Sequence, residues 1–223
     1  MNLVEAICTR KSIRGYKPDP VPKEVLREIL EIASRSPSPL NTQPWDITVI
    51  TGQVLDNIKR GNIQMLNSGA ARNPEVDLRP YEGKYRQRQV DVAIELFRLM
   101  GIAREDKEKR REWRQKGCLF YNAPAAIILS VDKSLDGLPF MLLSIGAIMQ
   151  TICLVALDYG LATCIEGQSL WFPEIVRKFA GISESKRMII SITIGYPDWD
   201  FPANALETKR EPTESFVSWF GWS

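Results

Sequence analysis

The sequence predicts a single mixed α+β domain. Segments with apolar residues at helical spacing are interleaved with short β-branched runs of strand length, and no internal repeat or linker divides the chain. The 223 residues suffice to bury most of an unfolded chain's surface in one core. Apolar residues make up 44% and charged residues 25%, ordinary for a globular chain, and a net charge of +2 offers no field for nucleic acid or an anionic membrane.

A short helix is expected over residues 2–9, followed by a polar, glycine-containing turn from Arg10 to Tyr16. A second helix should start near Pro22, because proline suits a first helical turn and Val25, Leu26, Ile29, Leu30 and Ala33 keep an apolar stripe. It must end before Ser36-Pro37-Ser38-Pro39, where each proline disfavours helical backbone in the residue ahead of it. Trp45 to Thr51 alternates apolar and polar residues and reads as a strand. Residues 53–71 read as a helix, and 72–85, with Pro74, Pro80 and Gly83, as a polar stretch able to serve as a lid. Val90, Ala93, Ile94, Phe97 and Leu99 again have helical spacing, and the nearly all-charged run from Arg104 to Arg114 reads as a solvated helical face.

Ala125 to Val131 has the length and composition of a strand, with a turn at Asp136-Gly137. Leu138 to Leu157 is nearly continuous in apolar character and reaches the roughly 20 residues of a membrane span. Ser144, Gln150 and Thr151 interrupt it, while Pro139 and Gly160 bracket it as start and stop signals. A helix buried in the core, or against a second subunit, is therefore expected, with no membrane contact. A strand at Ala162–Ile165, a helix near Phe172–Ala180 and a strand at Met188–Ile194 complete the domain. The tail carries Pro197, Pro202 and Pro212 and ends in Phe216, Trp219, Phe220 and Trp222, aromatic enough to require a packing partner such as a second protomer.

The chain has no histidine, which excludes serine–histidine and cysteine–histidine hydrolases and histidine-based metal sites. Any demanding chemistry must then come from a cofactor. The four cysteines, Cys8, Cys118, Cys153 and Cys164, show no metal or redox spacing and point to a reducing compartment. Met1 to Ala6 lacks the basic-then-apolar pattern of a targeting segment, so a cytoplasmic location is expected.

Four constellations carry binding chemistry. Arg10-Lys11-Ser12-Ile13-Arg14 gathers three cations and a hydroxyl able to meet a phosphate or an anionic heterocycle through charge-assisted hydrogen bonds. Ser36 to Trp45 is stiffened by prolines, which hold its serine, asparagine and glutamine groups in fixed directions. Cys164-Ile165-Glu166-Gly167 sits where a strand ends, and glycine there lets backbone approach a flat ligand. Lys209-Arg210 adds a basic pair in the tail. Taken singly, each also fits an ordinary wet surface or turn.

In chain order, Arg10-x-Ser12-x-Arg14, Pro37-Ser38-x-x-Asn41-x-Gln43-Pro44-Trp45, Glu166-Gly167 and Lys209-Arg210-x-Pro212 together resemble the FMN-dependent nitroreductase family. The stretch from Leu99-Met100-Gly101 to Phe120-Tyr121-Asn122-Ala123-Pro124 resembles a helical insertion found in part of that family. The resemblance implies one domain over residues 1–223, with lid and insertion near 72–118, built on a mostly antiparallel sheet ringed by helices and completed in a homodimer. It implies non-covalent FMN whose phosphate meets Arg10, Ser12, Lys209 and Arg210, with Lys11 alongside and Arg14 at the pyrimidine edge. Pro37, Ser38, Pro39 and Asn41 of the second protomer would wall the ring, supported by Gln43, while Ile165, Glu166 and Gly167 would flank the hydride-accepting edge. Asn67 is a further candidate beside the flavin. Pro39 stands where the family has a second serine, so no side-chain hydrogen bond is expected there.

Function follows from the same resemblance: NAD(P)H would deliver a hydride to the flavin, and a nitroaromatic, quinone or activated alkene would take the electrons in a separate step. No catalytic side chain and no metal are required. Tyr81, Tyr85 and Arg88 are substrate-lid candidates. The alternatives are a reductive dehalogenase-type flavoenzyme and a non-catalytic FMN-binding module.

Overall fold

In the computed structural model, the described residues are 1–76 and 79–222; Asp77 and Leu78 of the expected lid, and Ser223, lie outside them. Asn2 caps the first helix, α1 (Leu3–Thr9), by accepting from the Glu5 amide at 2.9 Å. Helix α2 (Lys23–Ala33) starts directly after Pro22 and buries Leu26, Ile29 and Ala33. Strand β1 (Trp45–Thr51) leads into α3 (Gly52–Asn67). Then come α4 (Gly83–Leu99), α5 (Lys107–Cys118), β2 (Ala125–Asp132), α6 (Pro139–Asp158), β3 (Ala162–Glu166), α7 (Pro173–Ala180) and β4 (Lys186–Gly195). Helix α7 stops at Gly181, whose φ of 69° is the left-handed backbone that a glycine adopts without a Cβ penalty.

The four strands form one sheet in the order β1-β2-β4-β3, every neighbouring pair antiparallel. Period-two alternation sends Ile127, Leu129, Val131, Ile192 and Ile194 to one face, against α2 and α6. Ala126, Ile128 and Met188 go to the other face, against Leu55 and Ile58 of α3, Val176 of α7 and Phe120. Buried β-branched and leucine side chains in the central strands contribute roughly 1.5–3 kcal/mol each. This places the expected mixed, antiparallel-rich architecture on a two-faced core.

Helix α6 is long and apolar enough to cross a membrane by length and composition. Within the domain it serves as a core helix: Ile145, Ile148, Ile152, Cys153 and Ala156 are buried beneath the sheet. Its first turns differ, for Phe140, Leu142 and Leu143 are exposed. A third cluster joins Leu96 of α4 to Ala203 and Leu206 of the tail, with Trp113 and Phe201 packed alongside. The tail end finds no cover within the chain: Trp219, Phe220 and Trp222 are 67%, 84% and 80% exposed.

Candidate functional site

After α1 the chain runs extended along the outer side of β3, where the Ile13 amide donates to the Thr163 carbonyl at 3.0 Å. Ile13 is buried, and because side chains alternate along extended backbone, Ser12 and Arg14 face the other way, with Arg10 sharing their direction. Ser12 and Arg14 both act on the Cys164 thiol of β3, Arg14 also faces the Tyr121 hydroxyl, and Arg10 lies near Cys153 of α6. Lys11 turns away, its ammonium 5.8 Å from the centroid of the Trp199 ring. Buried Asn204 fixes the segment: its Oδ1 accepts from the Arg14 amide at 2.7 Å, and its Nδ2 donates to the Gly15 carbonyl at 2.8 Å and to Asp198 O at 2.7 Å. Among the described residues, no acidic side chain pairs with Arg10, Lys11 or Arg14.

At the end of β3 the chain turns a corner through Ile165, Glu166 and Gly167. The Glu166 carboxylate points inward, accepting from the Ser169 amide at 3.0 Å and the Ser191 hydroxyl at 2.7 Å. Burial raises its pKa against these hydrogen bonds, which together fix the corner. Gly167 has an ordinary φ of −115°, and a Cβ there would meet only Ile190 Cδ1 at 3.8 Å. A side chain would therefore fit at this position without a clash in the chain's own packing. The thiols beside the corner are held protonated: burial pushes Cys164 and Cys118 each up to about 11. Burial likewise holds the Tyr121 phenol well above its usual range. None of these groups is a nucleophile at neutral pH.

The remaining expected residues divide. Lys209 and Arg210 are exposed, and Arg210 is turned onto its own strap, donating to Thr208 Oγ1 at 2.7 Å. Arg210 also donates to the Thr208 and Lys209 carbonyls at 3.1 and 3.2 Å, and among the described residues no hydrogen bond or ion pair joins it to Arg10 or Ser12. Pro37 to Gln43 form a stiff exposed loop, with Leu40, Asn41 and Gln43 at φ of 51°, 57° and 45° and the Gln43 amide donating to Ser38 Oγ at 2.9 Å. Pro39 stands at the start of a single helical turn, and Ser36 pins the loop by donating to Thr151 Oγ1 of α6 at 2.8 Å. Thr151 and Cys153 point about 200° apart around α6, so the loop and Arg10 leave it in different directions. Among the described residues, no hydrogen bond joins the loop to the corner within one chain.

Asn67 ends α3 and accepts from Gln115 Nε2 of α5 at 3.2 Å. Of the lid candidates, Tyr81 is exposed ahead of α4, whereas Tyr85 and Arg88 are on the helix itself. The polar stretch thus ends earlier than expected, because the helix formers after Gly83 propagate a regular turn despite the glycine. Arg88 Nε donates to Glu211 Oε1 at 3.0 Å, tying α4 to the tail beside Arg210.

The nitroreductase family model matches residues 7–196. The chain belongs to the nitroreductase family. Within that family it is 30% identical over 220 residues to a 4-nitrobenzoate reductase of Nocardioides sp. (strain LMS-CY), covering 96% of this chain and 87% of the relative. It is 27% identical over 206 residues to nitroreductase NfnB of Mycolicibacterium smegmatis, covering 90% and 85%. The crystal structure of the FMN and NADPH-dependent nitroreductase NfnB from sphigopyxis sp. strain HMH superposes with a TM-score of 0.92 at 28% identity, covering 100% of both chains. Helices α4 and α5 and the tail therefore lie within the length matched by that solved structure. Asn204 carries contacts at this nitroreductase corner that no local sequence pattern announces, whereas Cys164 belongs to the constellation at the end of β3 and Tyr121 to the Phe120–Pro124 run.

Proposed function

We propose that this nitroreductase-family chain is a soluble, cytoplasmic FMN-dependent oxidoreductase that passes electrons from NAD(P)H to a small nitroaromatic, quinone or activated alkene. The observation that carries this proposal is the single face formed by Arg10, Ser12 and Arg14, without acidic partners, beside the glycine end of β3. The set suits a flavin phosphate and an electron-rich ring edge, because uncompensated cations favour an anion and the empty Cβ position of Gly167 favours a flat group. Arg10 and Ser12 would hold the phosphate, and Arg14 the pyrimidine edge. The backbone of Ile165, Glu166 and Gly167 would line the reactive edge, its direction set by the Glu166–Ser169–Ser191 bonds. Bound FMN would supply two-electron transfer from the nicotinamide to the acceptor in two separate halves. The relatives support this class of reaction through an FMN and NADPH-dependent NfnB and a 4-nitrobenzoate reductase.

A homodimer follows from what one chain leaves uncovered. Pro37, Ser38, Pro39 and Asn41 would reach a second copy's corner, with Gln43 bracing them, while Lys209 and Arg210 would swing to the phosphate when the tail docks. The outer edge of β1 has no strand beside it, and an apolar groove lined by Val21, Leu26, Leu30 and Val49 runs next to it. The unpacked aromatic tail of the second copy suits that groove.

The purified protein should show a flavin spectrum, release the flavin on acid denaturation, and bleach with NADPH or NADH under nitrogen. A colourless protein that gains no stability from added FMN rejects the proposal.

A further inference from the structure

Between the end of α3 and the outer face of α5 lies a cavity of about 240 Å³ lined by Leu66, Asn67, Arg72, Arg111, Arg114 and Gln115. Three guanidinium groups border it and no carboxylate does. Arg111 and Arg114, at i and i+3, share one face of α5, with Gln115 adjacent. Neither makes an ion pair or hydrogen bond to another side chain among the described residues, although Glu108 and Glu112 lie on the same helix. The Arg72 guanidinium carbon sits 3.8 Å from the centroid of the Trp171 ring, which fixes its plane and leaves its edge donors free for the cavity.

Like charges gathered without a counter-charge repel one another and lose their partners' stabilisation, and an oxyanion bound between them reverses both effects. We propose that this cavity is an oxyanion site that selects a substrate by its phosphate or carboxylate group. Its volume falls below the roughly 300–1,000 Å³ that encloses a whole small-molecule ligand, so it takes a charged head group while the rest of the substrate extends outward. The cavity and the cofactor corner share a neighbour in buried Cys118, which closes α5, feels the charges of both Arg72 and Glu166, and donates its thiol to the Gln168 carbonyl at 3.7 Å. Which substrate carries the oxyanion rests on the flavoenzyme reading; the anion site itself does not. Two sources share the chemistry, the ribose phosphate that distinguishes NADPH from NADH and the carboxylate of an aromatic acceptor.

The test uses the holoenzyme and an Arg111→Gln/Arg114→Gln double variant, which keeps helix-forming, hydrogen-bonding side chains and lies outside the flavin set. KM is measured for NADPH against NADH, and for 4-nitrobenzoate against its methyl ester. Pyrophosphate and benzoate binding are followed by calorimetry. The proposal expects unchanged flavin content, weaker binding of at least one anion, and a rise of about tenfold or more in KM for one charged member, with its uncharged counterpart within about twofold. A selective rise for NADPH assigns the phosphate, and one for nitrobenzoate the carboxylate. Equal effects on charged and uncharged members, or unchanged KM values and unchanged anion binding, overturn it. If the wild-type protein carries no flavin, the flavoenzyme reading fails by itself, and the calorimetric comparison still decides the anion site.

Discussion

Gly167 separates a binding role from a packing role within one residue. Its φ of −115° suits any residue and a Cβ would touch only Ile190, so Gly167→Ala should shift folding stability by no more than about 0.5 kcal/mol. The added methyl would nevertheless enter the ligand side, and the FMN Kd should rise roughly tenfold, measured by fluorescence titration of apoprotein. Equal retention by the variant places the flavin elsewhere. Cys164 gives a pH dependence with a definite sign. Its thiol titrates near 9.0 when unfolded and at about 11 in the fold, so between these values the unfolded chain releases a proton that the folded chain keeps. Stability is fully present below pH 9 and falls as pH rises toward 11, by on the order of 2–3 kcal/mol from this group. Cys164→Ala should flatten that fall relative to the wild type in thermal unfolding at stepped pH; parallel curves would show that the thiol is not held protonated. The Arg10-x-Ser12-x-Arg14 set was legible because its spacing of two is a local pattern. Asn204 was not, since its bond to the Arg14 amide spans 190 residues and a lone asparagine has no periodicity.

Strands were the most legible elements. Trp45–Thr51 alternates cleanly and matches β1, and the compact run at Ala125 matches β2, because β-branched composition and turn residues fix both ends. Strand β4 runs beyond Met188–Ile194 to Lys186 and Gly195, since polar Lys186 and Arg187 pair through backbone that a side-chain pattern does not reveal. The lid boundary failed for the opposite reason: the first turns of α4, Gly83 to Gln89, carry no aliphatic residue to mark a helical stripe, so they resembled a loop. Helix α6 packs on the core as expected along one side, with Met141, Ser144, Ile145 and Ile148 buried, but the other side of its first turns is left exposed. Leu143 is 66% exposed near the start, and Leu143→Glu should leave the monomer's fold intact while placing two charges in a two-fold contact. The dimer dissociation constant should rise at least roughly 100-fold, read by sedimentation over a dilution series. An unchanged association constant removes this face from the interface.

At the scale of the molecule, the proposed site is built from two chains. The Pro37–Gln43 loop and the aromatic tail are exposed, and among the described residues no hydrogen bond ties either to the Arg14–Gly167 corner. A shared site resolves this separation, because each corner then takes its wall from the other copy, and no sequence pattern within a single chain encodes such a contact. Mixing two defective chains tests the sharing directly. Arg14→Ala spoils the corner and Ser38→Trp spoils the loop, so each homodimer should be poor in flavin. In a purified mixed dimer, one site combines both defects and the other combines the intact corner of one chain with the intact loop of its partner. One tightly held FMN per mixed dimer is the predicted result, and a mixed dimer as empty as its parents would contradict a site built from two chains.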